Sequence, residues 1–369
     1  MTFLRQSFPI FKHSTFLDTA HKAAVPNQVV DAVKSFYKDM QETSGDKAIW
    51  HSETARVRNL CANLINAQND EIAFVKNTSD GLNFLANGVD FQTGDNVIIS
   101  DQEHVNNIYP WTNLQRKQVE VRKIKSSGWT YGLDDLTTLV DNKTRVVSLS
   151  HICAATGFRP PVEEIGEFCR KHGILFFLDA IQSIGLLDID VTNLAVDALA
   201  TSGHKWLFGP YGIGFLYCRE TVISQLTPIF AAKMYTFTDA EKTNTSGYDD
   251  ARRWEIGSPN YSGIYGLGAS LDMILGVGTK VAENYVDAVC KELRQNITTL
   301  GLNVVTPNEG RTTGIMSFQV DNPDAVSKAL KDSNIFVSVR GQGFVRTSVH
   351  MFNNEKDIQR LIDALKNLV

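Results

Sequence analysis

Cysteine is scarce and scattered in this chain. Five occur in 369 residues, at Cys61, Cys153, Cys169, Cys218 and Cys290, an odd number with no C-x-x-C pair. That spacing suggests neither a disulfide framework nor a zinc site. Basic charge is not in excess either: 36 Lys and Arg stand against 41 Asp and Glu, a net charge of -5. A nucleic-acid partner or a polybasic membrane contact is therefore not expected. No segment approaches the ~20 apolar residues of a bilayer span. Met1 to Lys12 has neither the apolar stretch nor the small-residue cleavage site of a leader. The expectation is a cytoplasmic protein with no membrane contact. Glycine is plentiful, yet runs such as Gly263 to Gly268 match neither G-x-G-x-x-G nor G-x-x-x-x-G-K-[ST]. The dinucleotide and P-loop readings fall with them. Internal repeats, low-complexity tracts and Pro/Ser-rich linkers are absent too.

What is present is an ordinary globular composition, 43% hydrophobic and 21% charged, in a chain long enough for a large core and two domains. Pro26 fits the first turn of a helix over Asn27 to Met40, with Val29, Val30, Val33, Phe36 and Tyr37 on one face. A second helix is expected over Glu53 to Ile65. Strands are expected at Glu71–Val75, Asn96–Ser100, Val119–Ile124, Arg145–Ser150, Ile174–Asp179 and Asp197–Thr201. Helices at Leu82–Ala86, Leu133–Val140 and Pro161–Lys171 separate them. Ile174-Leu175-Phe176-Phe177-Leu178 is apolar without alternation, the mark of a strand buried on both faces of a parallel sheet. Strands alternating with helices over about 70–220 make an α/β domain.

After Trp254 to Asn260 the character changes. Tyr261 to Leu275 is small and apolar, and a long helix is expected from Ala282 to Leu300. Strand Ile315–Val320, helix Asp324–Lys331, strands Ile335–Val339 and Phe344–Ser348, and helix Glu355–Leu368 then describe a smaller α+β unit. The reading is a large α/β domain over 16–257 and a small α+β domain over 1–15 and 258–369.

The stretch Thr201-Ser202-Gly203-His204-Lys205-Trp206-Leu207-Phe208-Gly209-Pro210 stands at the centre of the chemistry. A lysine desolvated by aromatic neighbours has a lowered pKa and becomes a usable amine nucleophile. Ser202 and His204 beside it are small donors suited to a phosphate. Asn77-Thr78-Ser79, at a strand-to-helix junction, offers hydroxyls and backbone N–H groups for an anion, and equally an ordinary cap. Thr78, His104, Asp179 and Lys205 all fall at the carboxyl ends of expected strands, where open α/β sheets bind ligands.

Taken in order, these pieces resemble one family. They are Phe16-Leu17-Asp18-Thr19-Ala20, Asn77 to Asn83, Glu103-His104, Asp179-Ala180-Ile181-Gln182, Ser202 to Trp206, Glu255-Ile256-Gly257-Ser258-Pro259 and Arg346-Thr347-Ser348. The chain resembles, over nearly its whole length, the class V aminotransferase group of fold-type I pyridoxal phosphate (PLP) enzymes. Cysteine desulfurases, selenocysteine lyases and isopenicillin N epimerases belong to that group. The resemblance implies a mostly parallel sheet of seven-stranded type in the large domain. It implies that Lys205 forms the Schiff base with PLP, that Asp179 pairs with the pyridine nitrogen and that Gln182 bonds the ring hydroxyl. Thr78, Ser79, Ser202 and His204 would hold the phosphate, with Ser258 completing that site from the partner of a homodimer. His104 would stack on the ring and move protons, and Arg346 would grip the carboxylate of a small amino-acid substrate. His21 and Asn107 are further substrate-binding candidates, with His350 and Arg340 as pocket-lining ones. No metal is implied.

Two departures from the desulfurase pattern bear on the reaction. The stretch before Arg346, Ser338 to Val345, is short and lacks the nucleophilic loop cysteine. Ala154 replaces the usual Asn, which leaves the ring hydroxyl to Gln182 or water. Cys153 beside it reads as a small buried hydrophobe. The expected activity is PLP-dependent chemistry at Cα of a small amino acid, a desulfurase-like C–S or C–Se lyase without the loop cysteine. An aminotransferase or an epimerase on the same scaffold is the alternative, and a non-catalytic scaffold the remote one.

Overall fold

A computed structural model describes residues 2–230, 236–237, 245–308, 313–340 and 343–368. Gly341 and Gln342, in the connection before Arg346, lie outside the described residues, as do the terminal Met1 and Val369. Seven strands form the main sheet: β1 (Ile72–Val75), β2 (Asn96–Ser100), β3 (Glu120–Ile124), β4 (Thr144–Ser150), β5 (Leu175–Asp179), β6 (Ala198–Ser202) and β7 (Gly214–Cys218). Their spatial order is β1-β7-β6-β5-β4-β2-β3. From β6 to β3 every pairing is parallel, whereas β7 runs antiparallel to both β6 and β1. The reading above names no strand after Thr201 in this sheet. Gly214–Cys218 fills that place, and it fits because Gly214 has no side chain: a Cβ there would lie 2.2 Å from the Thr201 carbonyl oxygen.

The sheet is buried on both faces, as the unbroken apolar strands predict. In β5 the side chains of Phe176 and Leu178 enter one core cluster and that of Phe177 enters the other. Each such burial contributes roughly 1.5–3 kcal/mol. Helices cover the faces. Asn77 caps the helix Thr78–Gly88, its side-chain oxygen accepting from the Asp80 N–H at 3.0 Å. That helix lies close on β6 because Gly81 presents no side chain; a Cβ there would sit 2.8 Å from that of Ala200. The helix Tyr261–Val277 packs against Asn27–Thr43 and Lys47–Ile65.

Toward the C-terminus, β8 (Ile315–Gln319), β9 (Ser338–Arg340) and β10 (Phe344–Ser348) form an antiparallel sheet ordered β8-β10-β9. The single strand expected over Ile335–Val339 is split. Ile335–Phe336 pairs in parallel with Thr15–Phe16, and the partner changes after Val337, when β9 takes up β10. The N-terminal segment thus begins on the small sheet's side. It then runs past β10, where Asp18 bridges Ser348, to reach Gln182 after β5, whose side chain donates to the Ala20 carbonyl at 3.1 Å. No helix among the described residues is long and apolar enough to cross a membrane.

Glu255 ties the segment carrying Ser258 to the sheet. It accepts from both terminal nitrogens of Arg58, at 2.5 and 3.0 Å, and from the Phe74 N–H of β1 at 2.7 Å. Both side chains of the ion pair are largely buried. Removing one partner leaves the other charge uncompensated, a loss of about 3 kcal/mol. Glu255→Ala should therefore lower the unfolding free energy by that amount and bring the denaturant midpoint down, measured against wild type by chemical unfolding. An unchanged midpoint would show that Arg58 finds solvent or another acceptor.

Candidate active site

At the carboxyl ends of the parallel strands the structure opens a cavity of about 660 Å³. Of the fourteen residues singled out from the sequence, ten line it: His21, Thr78, Ser79, His104, Gln182, Ser202, His204, Lys205, Arg340 and Arg346.

Asp179 sits beneath, at the last position of β5 and 3% exposed. Burial pushes its carboxyl above the usual range, offset by the Ile181 N–H, which donates to it at 3.0 Å, and by the charge of Lys205. Lys205 is affected in the opposite sense. Burial lowers the ammonium's pKa, Asp179 counteracts this, and Arg346 and Arg340 lower it further. The two groups therefore share one poorly solvated site.

The anion cradle is also assembled. Ser202, at the end of β6, accepts from the Thr78 N–H at 2.7 Å, and the two hydroxyls lie 2.8 Å apart. Ser79 lies at the same helix N-terminus and His204 just past the end of β6, two residues after Ser202, its ring stacked on Tyr211 with centroids 4.4 Å apart. Burial, then Lys205 and His21, pushes the His204 imidazole down to about 4, so it is neutral near pH 7. Gln182 uses one amide N–H on Ala20, and its oxygen accepts from the Trp206 indole at 2.7 Å. One N–H and one lone pair remain for a ligand.

Arg346 is 1% exposed. It donates from Nη1 to the Ala154 carbonyl at 2.6 Å and from Nε to the Ser338 hydroxyl at 3.2 Å. Its Nη2 has no hydrogen-bond acceptor and lies 3.8 Å from Asp18 Oδ1, itself without a donor. Burial pushes the guanidinium down to about 10. A buried guanidinium nitrogen left unpaired at a cavity wall is suited to a carboxylate.

Asn107 does not reach the cavity. It is fully buried, donating to Glu103 at 2.8 Å and accepting from the Trp111 indole and the Ser148 hydroxyl. Glu103 in turn accepts from Ser100, Ser150 and Asn107. Asn107 is thus committed to the frame that carries His104, which corrects its expected place on the substrate. His350 is likewise a core residue, bonded to the Trp206 carbonyl at 3.0 Å. Ser258 is exposed and lines a separate surface pocket with Lys76 and Asp80. Two residues escaped the sequence reading. Asp18 was visible only as part of an apolar-acidic motif, and Tyr211 only as an aromatic after Gly209-Pro210. No cysteine lines the cavity. Cys153 is fully buried, and burial raises its thiol well above the usual value.

Comparison with known proteins decides the family. The family model Aminotransferase class-V matches residues 15–361. The chain belongs to the class V aminotransferase family. It is 31% identical to a probable cysteine desulfurase of Methanothermobacter thermautotrophicus, over 99% of this chain and 97% of the relative. It is 29% identical to a cysteine desulfurase of Salmonella agona with the same coverage. Among solved structures, an apo cysteine desulfurase of Thermococcus onnurineus NA1 superposes with a TM-score of 0.92 at 26% identity, covering 99% of this chain and 97% of that one. The cystine C–S lyase C-DES, in complex with its product cysteine persulfide, has the same fold. Its TM-score is 0.91 at 24% identity, covering 98% of this chain and 99% of that one. The fold is that of the fold-type I PLP enzymes, and this member of the family is a PLP-dependent enzyme.

His350 yields a stability prediction. Burial pushes its imidazole down to about 3, against ~6.5 in the unfolded chain. Between those values the unfolded chain binds the proton more tightly, so stability falls as pH falls from about 6.5 toward 3. His350→Gln keeps a donor for the Trp206 carbonyl and removes the titration. Its acid destabilisation should be shallower by up to about 1.4 kcal/mol per pH unit, read from unfolding curves at pH 6, 5 and 4. Equal slopes in the two proteins would exclude His350 as an acid-sensitive group.

Proposed function

We propose that this chain is a PLP-dependent C–S lyase of the cysteine desulfurase kind that releases sulfur without an enzyme cysteine, C–Se bonds included. The observation that carries the reading is the Lys205 cavity itself. It combines a poorly solvated lysine with a buried aspartate beneath it, an anion cradle and a guanidinium with a free Nη2, and among the described residues no thiol lines it. The donor set fits the cofactor. Thr78, Ser79, Ser202 and His204 would hold its phosphate, Asp179 its pyridine nitrogen, Gln182 its hydroxyl and Lys205 its aldehyde, with His104 over the ring.

When bound, PLP supplies an electron sink for the bonds at the substrate's Cα. The chain's own residues do the rest. Arg346 binds the substrate carboxylate through Nη2 and so orients Cα. Lys205, its pKa lowered by burial, is the amine that takes the Cα proton. Asp179, kept from water at the end of β5, holds the proton on the pyridine nitrogen. His104 accepts the Asn106 N–H at Nδ1, at 3.2 Å, which leaves Nε2–H to face the site. Ser258 is exposed on one chain and would complete the phosphate site of a partner, so the working unit is a homodimer. On this reading the chain divides into a large domain, 16–257, and a small one, 1–15 with 258–369, and Arg346 of the small domain would reach the cavity at the large sheet's carboxyl ends. A cytoplasmic location accords with the reduced cysteines.

The purified protein should carry the cofactor's visible absorption band and release pyruvate and sulfide from L-cysteine. Lys205→Ala should lose the band and lower turnover by about 10³-fold, with the fold retained by circular dichroism. Amino transfer to a 2-oxo acid without pyruvate or sulfide would establish the aminotransferase instead, and racemisation alone the epimerase. Light scattering should give a dimer; a monomer with full cofactor occupancy would remove Ser258 from the site.

A further inference from the structure

Three histidines line the cavity among the described residues, His21, His104 and His204, and their electrostatic settings differ. His104 is pushed down by burial and by Lys205, Arg340 and Arg346. His204 is pushed down to about 4, also by burial first, and stacks on Tyr211. Neither favours an imidazolium. His21 alone faces a carboxylate. Its Nδ1 lies 3.1 Å from Asp18 Oδ2, and its backbone N–H donates to the Asp18 carbonyl at 3.0 Å, which closes the turn holding the pair. Asp18 is 6% exposed, and its other oxygen, Oδ1, is the atom 3.8 Å from Arg346 Nη2. One buried carboxylate thus links His21 to the nitrogen that grips the substrate carboxylate. The His21 side chain is about half exposed, at 51%, so a proton lost to a ligand returns from water.

We propose that His21, oriented by Asp18, is the acid that protonates the departing sulfur. This rests on the lyase reading. In the step, the Cβ–S bond breaks with its electron pair on sulfur. The Nε2 proton of the His21 imidazolium passes to that sulfur, which leaves as a neutral thiol or hydrogen sulfide. Neutral His21 keeps its Nδ1 proton on Asp18 and is reprotonated at Nε2 from solvent. A carboxylate bonded to Nδ1 fixes which nitrogen faces the ligand. Without an enzyme thiol to capture the sulfur, protonation is what keeps it from adding back.

The test compares two leaving groups. Chloride departs from β-chloro-L-alanine with no proton, whereas sulfide departs from L-cysteine with one. His21→Gln in the cofactor-loaded protein should lower pyruvate release from L-cysteine by about 10²-fold and leave release from β-chloro-L-alanine within about twofold. Added imidazole should restore part of the loss in His21→Ala. An equal loss on both substrates, or none on either, overturns the inference and leaves the lyase reading standing. A wild-type protein that forms pyruvate from neither substrate overturns the lyase reading, and this inference with it. A second readout needs no turnover. In protein labelled with ¹⁵N-histidine, neutral His21 should show the Nδ1–H tautomer, and Asp18→Asn should lose that preference. An Nε2–H tautomer in the wild type would overturn the orientation by Asp18.

Discussion

The site depends on a carboxyl and an ammonium set into one poorly solvated corner of the cavity. Asp179 ends a strand with no polar side chain before it, and Lys205 lies three residues past the end of the neighbouring strand β6, beside the buried Trp206. In water the two groups would ionise independently. Here each loses hydration and each is the other's compensation, so one carboxyl is raised and one ammonium lowered. A ligand that brings a cationic nitrogen to Asp179 and a carbonyl carbon to Lys205 replaces that compensation on both sides. The pair is therefore a receptor for such a ligand as well as a strain on the empty fold.

Everything around the pair is set by strand ends. The parallel pairing of β4, β5 and β6 brings Ser150, Asp179 and Ser202 together at the carboxyl end of the sheet. Ser150 fixes Glu103 and so the backbone before His104; Ser202 fixes Thr78 and the helix N-terminus. The opposite wall has a different origin. Arg346 lies on β10 of the small sheet, in register with Ser338 and Ser317. It meets the large sheet's residues directly, through the Ala154 carbonyl after β4, and through the N-terminal segment, which passes β10 on its way to Gln182. That segment supplies Asp18 and His21. Catalytic and binding groups from two sheets are thus held together by a short stretch with almost no regular structure of its own.

The sequence made the large sheet legible because its strands are short, apolar and separated by helices, so periodicity and order carried the assignment. Asn96–Ser100 and Phe344–Ser348 were readable to the residue. The strand Gly214–Cys218 was not, because antiparallel insertion beside β6 leaves no crossover helix to announce it. Ile335–Val339 reads as one strand because nothing local marks a change of partner at Val337. The site was legible where residues sit in contiguous motifs at strand ends, as with Ser202, His204 and Lys205. Asn107 shows the limit. Its polar side chain, three residues after His104, suggested a ligand contact, but the demands of buried Glu103, Trp111 and Ser148 claim it. Asp18 was hidden for the converse reason: its partner Arg346 lies 328 positions away in the chain.

The scarcity of cysteine constrains how sulfur can leave. A thiol captures sulfur as a thiolate, which requires a lowered pKa and access to the substrate. The cysteines here have neither. Burial pushes Cys169 and Cys290 up to about 12, and Cys153 and Cys218 well above the usual thiol value. The register of β9 and β10 pairs Arg340 with Phe344, so only residues 341–343 join the strands, and none of them is cysteine. On the proposed lyase reading, sulfur departs as a free species from a cavity whose cations, Lys205, Arg340 and Arg346, would otherwise hold an anion in place. A cavity of that charge binds a carboxylate well and releases a sulfur anion poorly. Neutralising the sulfur as it leaves resolves the conflict, and the one imidazole seated against a carboxylate lies on the half-exposed side of the cavity, where the product meets water.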